Sequence, residues 1–300
     1  MTTRKAASIF AFSCVCLLAG CSRKPDTAMP SGGRIVNVQV LDLPGLSGLA
    51  RDDASSLFAV PEDIRVLVEL SAGGAEQHRY RVSGVPEGVE FESLAWLGKG
   101  RFAIGTEGGC KDGSEHVLVV EREGDGAKVV RDIAMPLRAW GAECDDKRGV
   151  EGLCAAGGKL IAAIENPLSG KNDERFAAIA RIDEQTGEVT AYRLTLTTTT
   201  GKIAGLDCRE KDGAIEVLAI ERHFEVSRLL SFTVPLGGAA EEAPRTARVV
   251  MDLFPYANGG KRNFEGVVWL DDRRAMLVVD NKYGSVTGPN EMVEVDLAGK

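Results

Sequence analysis

The chain has 300 residues, with 36 Lys and Arg against 44 Asp and Glu, three His and a formal net charge of -8. An acidic balance without a Lys/Arg-rich run excludes the basic face that nucleic-acid binding needs. With 44% hydrophobic and 27% charged residues the composition is that of a folded globular chain, not a disordered one. Three His leave little room for a His-rich metal site, and 35 Gly with 11 Pro describe a chain that turns often.

The first elements read as an export signal. Arg4 and Lys5 precede an apolar stretch over residues 6–20 (AASIFAFSCVCLLAG), too short for a comfortable membrane span and of the length of a signal core. It ends in Leu18-Ala19-Gly20-Cys21, which resembles a bacterial lipobox. That resemblance implies cleavage before Cys21, lipidation of its thiol, and a protein held to a membrane of the cell envelope. Residues 1–20 are therefore expected to be a signal peptide, 21–33 a Pro/Ser/Gly-containing tether, and 34–300 one domain. Loss of the two cations Arg4 and Lys5 changes the net charge from -8 to -10.

In an exported chain Cys110, Cys144, Cys154 and Cys208 are disulfide candidates. Four cysteines permit three pairings, and sequence alone does not choose among them. No CxxC or His-spaced pair points to structural zinc.

From residue 34 onward the chain repeats itself. A small or acidic residue, Gly or Ser and an aliphatic residue open a short strand; a second apolar strand follows and ends in an acid. The copies begin at Ser47-Gly48-Leu49, Glu92-Ser93-Leu94, Glu151-Gly152-Leu153, Ala204-Gly205-Leu206 and Glu265-Gly266-Val267. Their second strands end at Asp63, Glu107, Glu165, Glu221 and Asp280. Two more strand-like runs follow in each interval, for example residues 116–121 and 128–133, with alternating or β-branched character. Helical periodicity is absent. Four strands per repeat at this spacing predict an all-β chain, a β-propeller of five four-stranded blades, with six as the alternative. The fifth copy lacks an outer strand, and residues 34–43 (RIVNVQVLDL) are expected to supply it and close the ring. On this map Cys110 and Cys144 share the loops of the second repeat, and Cys154 and Cys208 sit on neighbouring inner strands.

In such a blade the start of the first strand and the end of the second meet at one mouth of the channel. Glu92, Glu151 and Glu265 would converge there with Asp63, Glu107, Glu165, Glu221 and Asp280. Crowded carboxylates raise one another's pKa unless cations intervene, and a hard divalent ion such as Ca²⁺ suits an all-oxygen site. Glu92, Glu151, Glu165, Glu265, Asp280 and Asn281 are the candidate metal ligands. Lys147, Arg148, Lys202, Lys261, Arg262, Arg222 and Lys282 lie on adjoining segments and would suit an anionic small-molecule substrate. Arg222 and Lys282 would steady the anion, and Glu221 or His223 would handle the proton. A lone Glu before Gly more often holds a neighbouring backbone amide. Ser169 lies outside any GxSxG nucleophile elbow.

Three segments together resemble the phytase-like domain family, described as having esterase-like activity: Leu218-Ala219-Ile220-Glu221-Arg222, Asn263-Phe264-Glu265-Gly266 and Val278-Val279-Asp280-Asn281. The likeness is best over residues 200–298. It implies an envelope propeller and phosphoester hydrolysis with Ca²⁺, and it singles out Glu221, Arg222, Glu265, Asp280 and Asn281. Ala204 departs from the acid pattern. The expected protein is a monomeric, lipid-anchored hydrolase; the alternative is a propeller that binds a ligand or protein without catalysis.

Overall fold

A computed structural model describes residues 33–297, apart from 44, 109, 111, 144–147, 171–173, 241–242, 258–261 and 282–287. The signal peptide, the tether with Cys21, and Lys147, Lys261 and Lys282 therefore lie outside the described residues. The chain is all-β, with two short 3-10 turns at Leu137–Trp140 and Phe254–Tyr256. Among the described residues no helix is long and apolar enough to cross a membrane.

Strand β1 (Arg34–Leu41) comes first, followed by the meander β2 (Leu46–Arg51), β3 (Leu57–Pro61), β4 (Val66–Leu70) and β5 (Glu76–Ser83). The next comprises β6 (Glu90–Gly98), β7 (Arg101–Glu107), β8 (Ser114–Glu123) and β9 (Gly126–Pro136). The third contains β10 (Gly152–Ala156), β11 (Lys159–Ser169), β12 (Arg175–Asp183) and β13 (Val189–Thr195). In the fourth are β14 (Lys202–Lys211), β15 (Ala214–His223), β16 (Val226–Pro235), β17 (Arg245–Thr246) and β18 (Arg248–Asp252). The last holds β19 (Phe264–Trp269), β20 (Arg274–Val279) and β21 (Asn290–Asp296), and β1 adds its fourth strand by pairing antiparallel with β21.

Tight turns set the register of the inner hairpins. Asp212 and Gly213 both have positive φ (50° and 75°) between the paired Lys211 and Ala214. Two successive positive φ values match the right-handed twist of the flanking strands, and Asp-Gly tolerates them. Two features of the outer strands were not expected from sequence. β5 and β9 pair in parallel and fuse the first two meanders into one eight-stranded sheet. The last run of the fourth unit is split: β17 pairs in parallel with β13 of the preceding sheet before β18 pairs with β16.

The core lies between neighbouring sheets. Five buried apolar clusters each draw on two consecutive units, and the fifth joins last to first, setting Leu46, Ala59 and Val68 against Val268, Met276 and Val278. Burying each large side chain contributes about 1.5–3 kcal/mol. Phe58 and Phe102 illustrate the fit, with ring centroids 4.8 Å apart across the first two units.

The inner strands pack backbone to backbone. A Cβ at Gly48 would lie 2.7 Å from the Leu94 nitrogen, and one at Gly205 would lie 2.3 Å from the Glu265 carbonyl oxygen. At Gly266 it would meet the Leu49 nitrogen at 3.0 Å, and at Gly152 the Leu206 side chain at 2.6 Å. Ser93, which replaces Gly in the second copy, donates its hydroxyl to the Val150 carbonyl at 2.5 Å. These contacts run from each repeat to the next and return from β19 to β2. The repeated Gly is thus a packing requirement. Cys154 and Cys208 are bonded across β10 and β14, with Cα atoms 5.5 Å apart, and such a staple contributes about 2–4 kcal/mol. Cys110 is also disulfide-bonded, and Cys144 lies outside the described residues.

Gly205→Ala is expected to lower unfolding free energy by about 1–3 kcal/mol, because the Glu265 backbone must move to admit the methyl. Gly73→Ala, where the nearest atom is 3.7 Å away, should be near neutral. Paired denaturant titrations of the two variants check this.

Candidate functional site

Each inner strand carries the acid position just before its Gly or Ser. In four of the five the pairing with the second strand skips that residue: register breaks fall between Leu46/Gly48, Phe91/Ser93, Ile203/Gly205 and Phe264/Gly266. Ser47, Glu92, Ala204 and Glu265 are therefore bulged residues, and a bulge re-aims the side chain it carries. In the third repeat Glu151 sits immediately before β10.

Ser47, Glu92, Glu151 and Glu265 line one cavity of about 400 Å³. The ends of the second strands reach the same space through Glu62, Glu107, Glu165, His223 and Asp280. Six of the eight expected acids thus meet. Asp63 and Glu221 do not line the cavity; Glu62, one residue before Asp63, takes the place expected of it. Glu221 is 0% exposed and held elsewhere: its Oε1 accepts the Thr197 and Thr198 amides at 3.0 and 3.3 Å, and its Oε2 accepts the Thr197 hydroxyl. Asn281 also lies off the cavity lining, where its Nδ2 donates to the Pro289 carbonyl at 2.6 Å. Asp280 packs against Gly45, where even a methyl would collide with its carboxylate.

Cations pair with some of these acids across neighbouring units. The Arg222 guanidinium grips Glu265 through Nε at 3.2 Å and more closely through Nη2, and Asn263 Nδ2 donates to the same carboxylate at 2.5 Å. Lys202 pairs with Glu165. Arg262 holds Glu291 at 2.8 Å, and Arg175 spends its Nε on the Gly201 carbonyl at 2.9 Å. Arg148 also lines the cavity.

Two acids of the cluster stand apart from these pairs. Among the described residues neither Glu92 nor Glu151 makes a hydrogen bond or ion pair, and both are buried. Two groups of carboxylates have oxygens within 4.8 Å of one another: Glu62, Glu90 and Glu92, and Glu107, Glu151 and Glu165. Burial pushes the Glu92 carboxyl well above its usual range, and Glu151, Glu62, Glu107 and Glu265 push it further. Burial likewise lifts Glu151 to about 8, helped by Glu265 and opposed by Lys202 and Arg222. Burial lowers Lys202, as does neighbouring Arg222. Arg222 is raised: burial works against its charge, and Glu265 outweighs that.

Of the residues the sequence singled out, the structure gathers Glu92, Glu151, Glu165, Glu265, Asp280, Arg222 and His223 around one space. It adds Glu62, Arg175, Ser227 and Phe224. Glu62 was readable in principle from the alternation of β3. The contribution of Arg175, from an outer strand, depends on tertiary packing.

The raised carboxyls make stability fall with pH. Glu151 titrates near 4.5 when unfolded and about 8 when folded, so the folded state binds the extra proton between those values. Its stabilising contribution is complete below about pH 4.5 and is lost as pH rises through about 8. Melting temperature in chelator should fall across this window, and Glu151→Gln should flatten the fall; thermal scans from pH 5 to 8.5 check it.

Comparison with known proteins gives the fold and the family. A PQQ-bound aldose sugar dehydrogenase from Streptomyces coelicolor superposes with a TM-score of 0.51 at 12% identity, covering 90% of this chain and 99% of that one. A putative glucose dehydrogenase from Thermus thermophilus gives 0.47 at 11% identity, covering 86% and 99%. The calcium-binding protein regucalcin from Agrobacterium tumefaciens gives 0.43 at 15% identity, covering 84% and 72%. At such identities the first shows a shared β-propeller-type fold and nothing about activity. No curated protein matches the chain significantly in sequence. The model of the phytase-like family, described as esterase-like activity of phytase, matches residues 42–283, and the chain therefore belongs to that family.

Proposed function

We propose that this protein is a five-bladed, lipid-anchored propeller of the cell envelope that hydrolyses an anionic ester, a phosphoester, with a divalent cation, Ca²⁺. The observation that carries the reading is the buried pair Glu92 and Glu151, without hydrogen bond or ion pair among the described residues, in a cavity also lined by Arg148, Lys202 and Arg222. The five-blade count is supported by the five inner strands, each touching the next and the last touching the first. The anchor rests on the Leu18-Ala19-Gly20-Cys21 motif. A diacylated Cys21 with a twelve-residue tether would place the domain close to a membrane.

The donor set fits the ion. Oxygen ligands alone suit Ca²⁺, and carboxylates that repel one another in a buried site gain most from a cation. Glu107 and Glu151, whose oxygens lie within 4.8 Å of each other, would hold it, with the charge of Glu92 beside them. Bound there, the ion would polarise the ester and lower the pKa of a water. Glu265 and Glu165 already neutralise Arg222 and Lys202, so they position those cations more than they bind metal. Arg222 donates Nε and Nη2 to Glu265, and its Nη1, without a hydrogen bond among the described residues, would meet the anion. His223, on the lining, is placed to pass a proton to the leaving oxygen. Glu221 instead fixes the Thr197–Thr198 segment beside Thr200, which lines the cavity.

The same ion pairs join neighbouring units, which favours a second reading: the acids and cations serve assembly, and the face binds without catalysis. Turnover separates the two. A panel of phosphomonoesters should be hydrolysed in Ca²⁺ and not in chelator, with at least 100-fold loss in Glu92→Gln/Glu151→Gln, in line with removal of a metal-held water. Undiminished turnover in that variant, or none in the wild type, would leave the binding reading. Cys21→Ser is expected to move the protein from the membrane to the soluble fraction of fractionated cells.

A further inference from the structure

The hairpin that ends β15 and begins β16 carries features the metal and its anion do not use. His223 pairs with Val226, so Phe224 and Glu225 form its turn. Phe224 is 62% exposed, and among the described residues it is the one exposed large apolar side chain that lines the cavity. Its ring packs against the His223 ring at 5.2 Å and 75°, an edge-to-face contact that leaves most of the phenyl open. A ring left open at a cavity edge offers apolar area that a bound apolar group would cover.

Polar groups without partners lie beside it. Ser227 is 4% exposed and lines the same cavity, yet its hydroxyl has no hydrogen-bond partner among the described residues. His223 Nδ1 is likewise buried and unpaired. Two unsatisfied polar atoms on one lining are hydrogen-bonding capacity that a ligand entering beside the hairpin would use. Pro167, Val226 and Ala257 add apolar wall.

The charge balance limits the rest of the ligand. Carboxylates outnumber cations on the lining, and Arg222 and Lys202 are already partly neutralised. A compact polyanion would meet more repulsion there than a single anionic group joined to an apolar ring.

We propose that the His223–Ser227 hairpin is a recognition subsite for the alcohol half of the substrate, and that this half is aromatic: the site takes an aryl monoester. The ring covers Phe224, and the ester oxygen or a ring hydroxyl meets Ser227 Oγ and His223 Nδ1. The choice of an ester rests on the function proposed above; the preference for an aromatic ring rests on the hairpin.

Calorimetric binding of phenyl phosphate and methyl phosphate, in Ca²⁺, tests it without requiring turnover. Wild type should bind the phenyl ester about tenfold more tightly, the scale of one aromatic contact plus its buried area. Phe224→Ala should bring the two within twofold while leaving methyl phosphate affinity unchanged, and Phe224→Tyr should keep the preference. Equal binding in wild type, or a preference that survives Phe224→Ala, overturns the subsite. Preferential binding with no hydrolysis overturns the hydrolase reading alone, and binding of neither ester overturns both.

Discussion

Where the inner strands meet there is no room for a side chain: the Glu265 carbonyl oxygen lies 2.3 Å from where Gly205 would place a Cβ, and Leu94 and Leu49 crowd Gly48 and Gly266 in the same way. Much else follows from that contact. Strands this close cannot keep both faces of the ladder regular, and in four of the five repeats the residue before the Gly or Ser is pushed out of register. Two of the residues so displaced, Glu92 and Glu265, carry acids, so at those repeats backbone crowding and the aim of a carboxylate share one packing solution. Ser93 shows its tolerance, since a hydroxyl fits where it can bond the neighbouring carbonyl.

Convergence creates an electrostatic problem that is only half solved by the protein's own cations. Breaking a buried ion pair costs about 3–5 kcal/mol, so the Arg222–Glu265 contact is firmly held. Glu92 and Glu151 have no such partner. A divalent ion bound there would compete with a proton for the same oxygens, and the balance would shift within the physiological pH range because burial lifts Glu151 to about 8. The open Phe224 ring at the edge adds apolar area to this charged lining.

The period of the strands was legible because inner and outer runs differ in burial and length, and the closing role of residues 34–41 followed from a missing strand. Positions of acids were legible to within one residue. Asp63 and Glu62 are adjacent, and the face each takes depends on how β3 ends; Glu62 turns inward. Glu221 misled for another reason. Its repeat position matches the others, but Thr197 and Thr198, 24 and 23 residues earlier, fold over it and occupy its oxygens. No local pattern announces that contact. The parallel pairings of β5 with β9 and of β13 with β17 are equally nonlocal, formed by strands from different repeats.

The pairing of β1 with β21 sets Arg34 opposite Asp296 and Leu41 opposite Asn290, so the earliest strand finds its partner only in the last. During synthesis the first strand must wait, with its apolar residues in search of a neighbour, until nearly the whole domain has been made. Every intermediate before that moment carries two open edges at the seam. Closure is thus one late, long-range step, slow in the way nonlocal β pairing is slow. The domain also gains a direction of mechanical weakness. Tension applied ahead of Arg34 would peel β1 from β21 one residue pair at a time, starting at the Arg34–Asp296 end and leaving the inner strands for last.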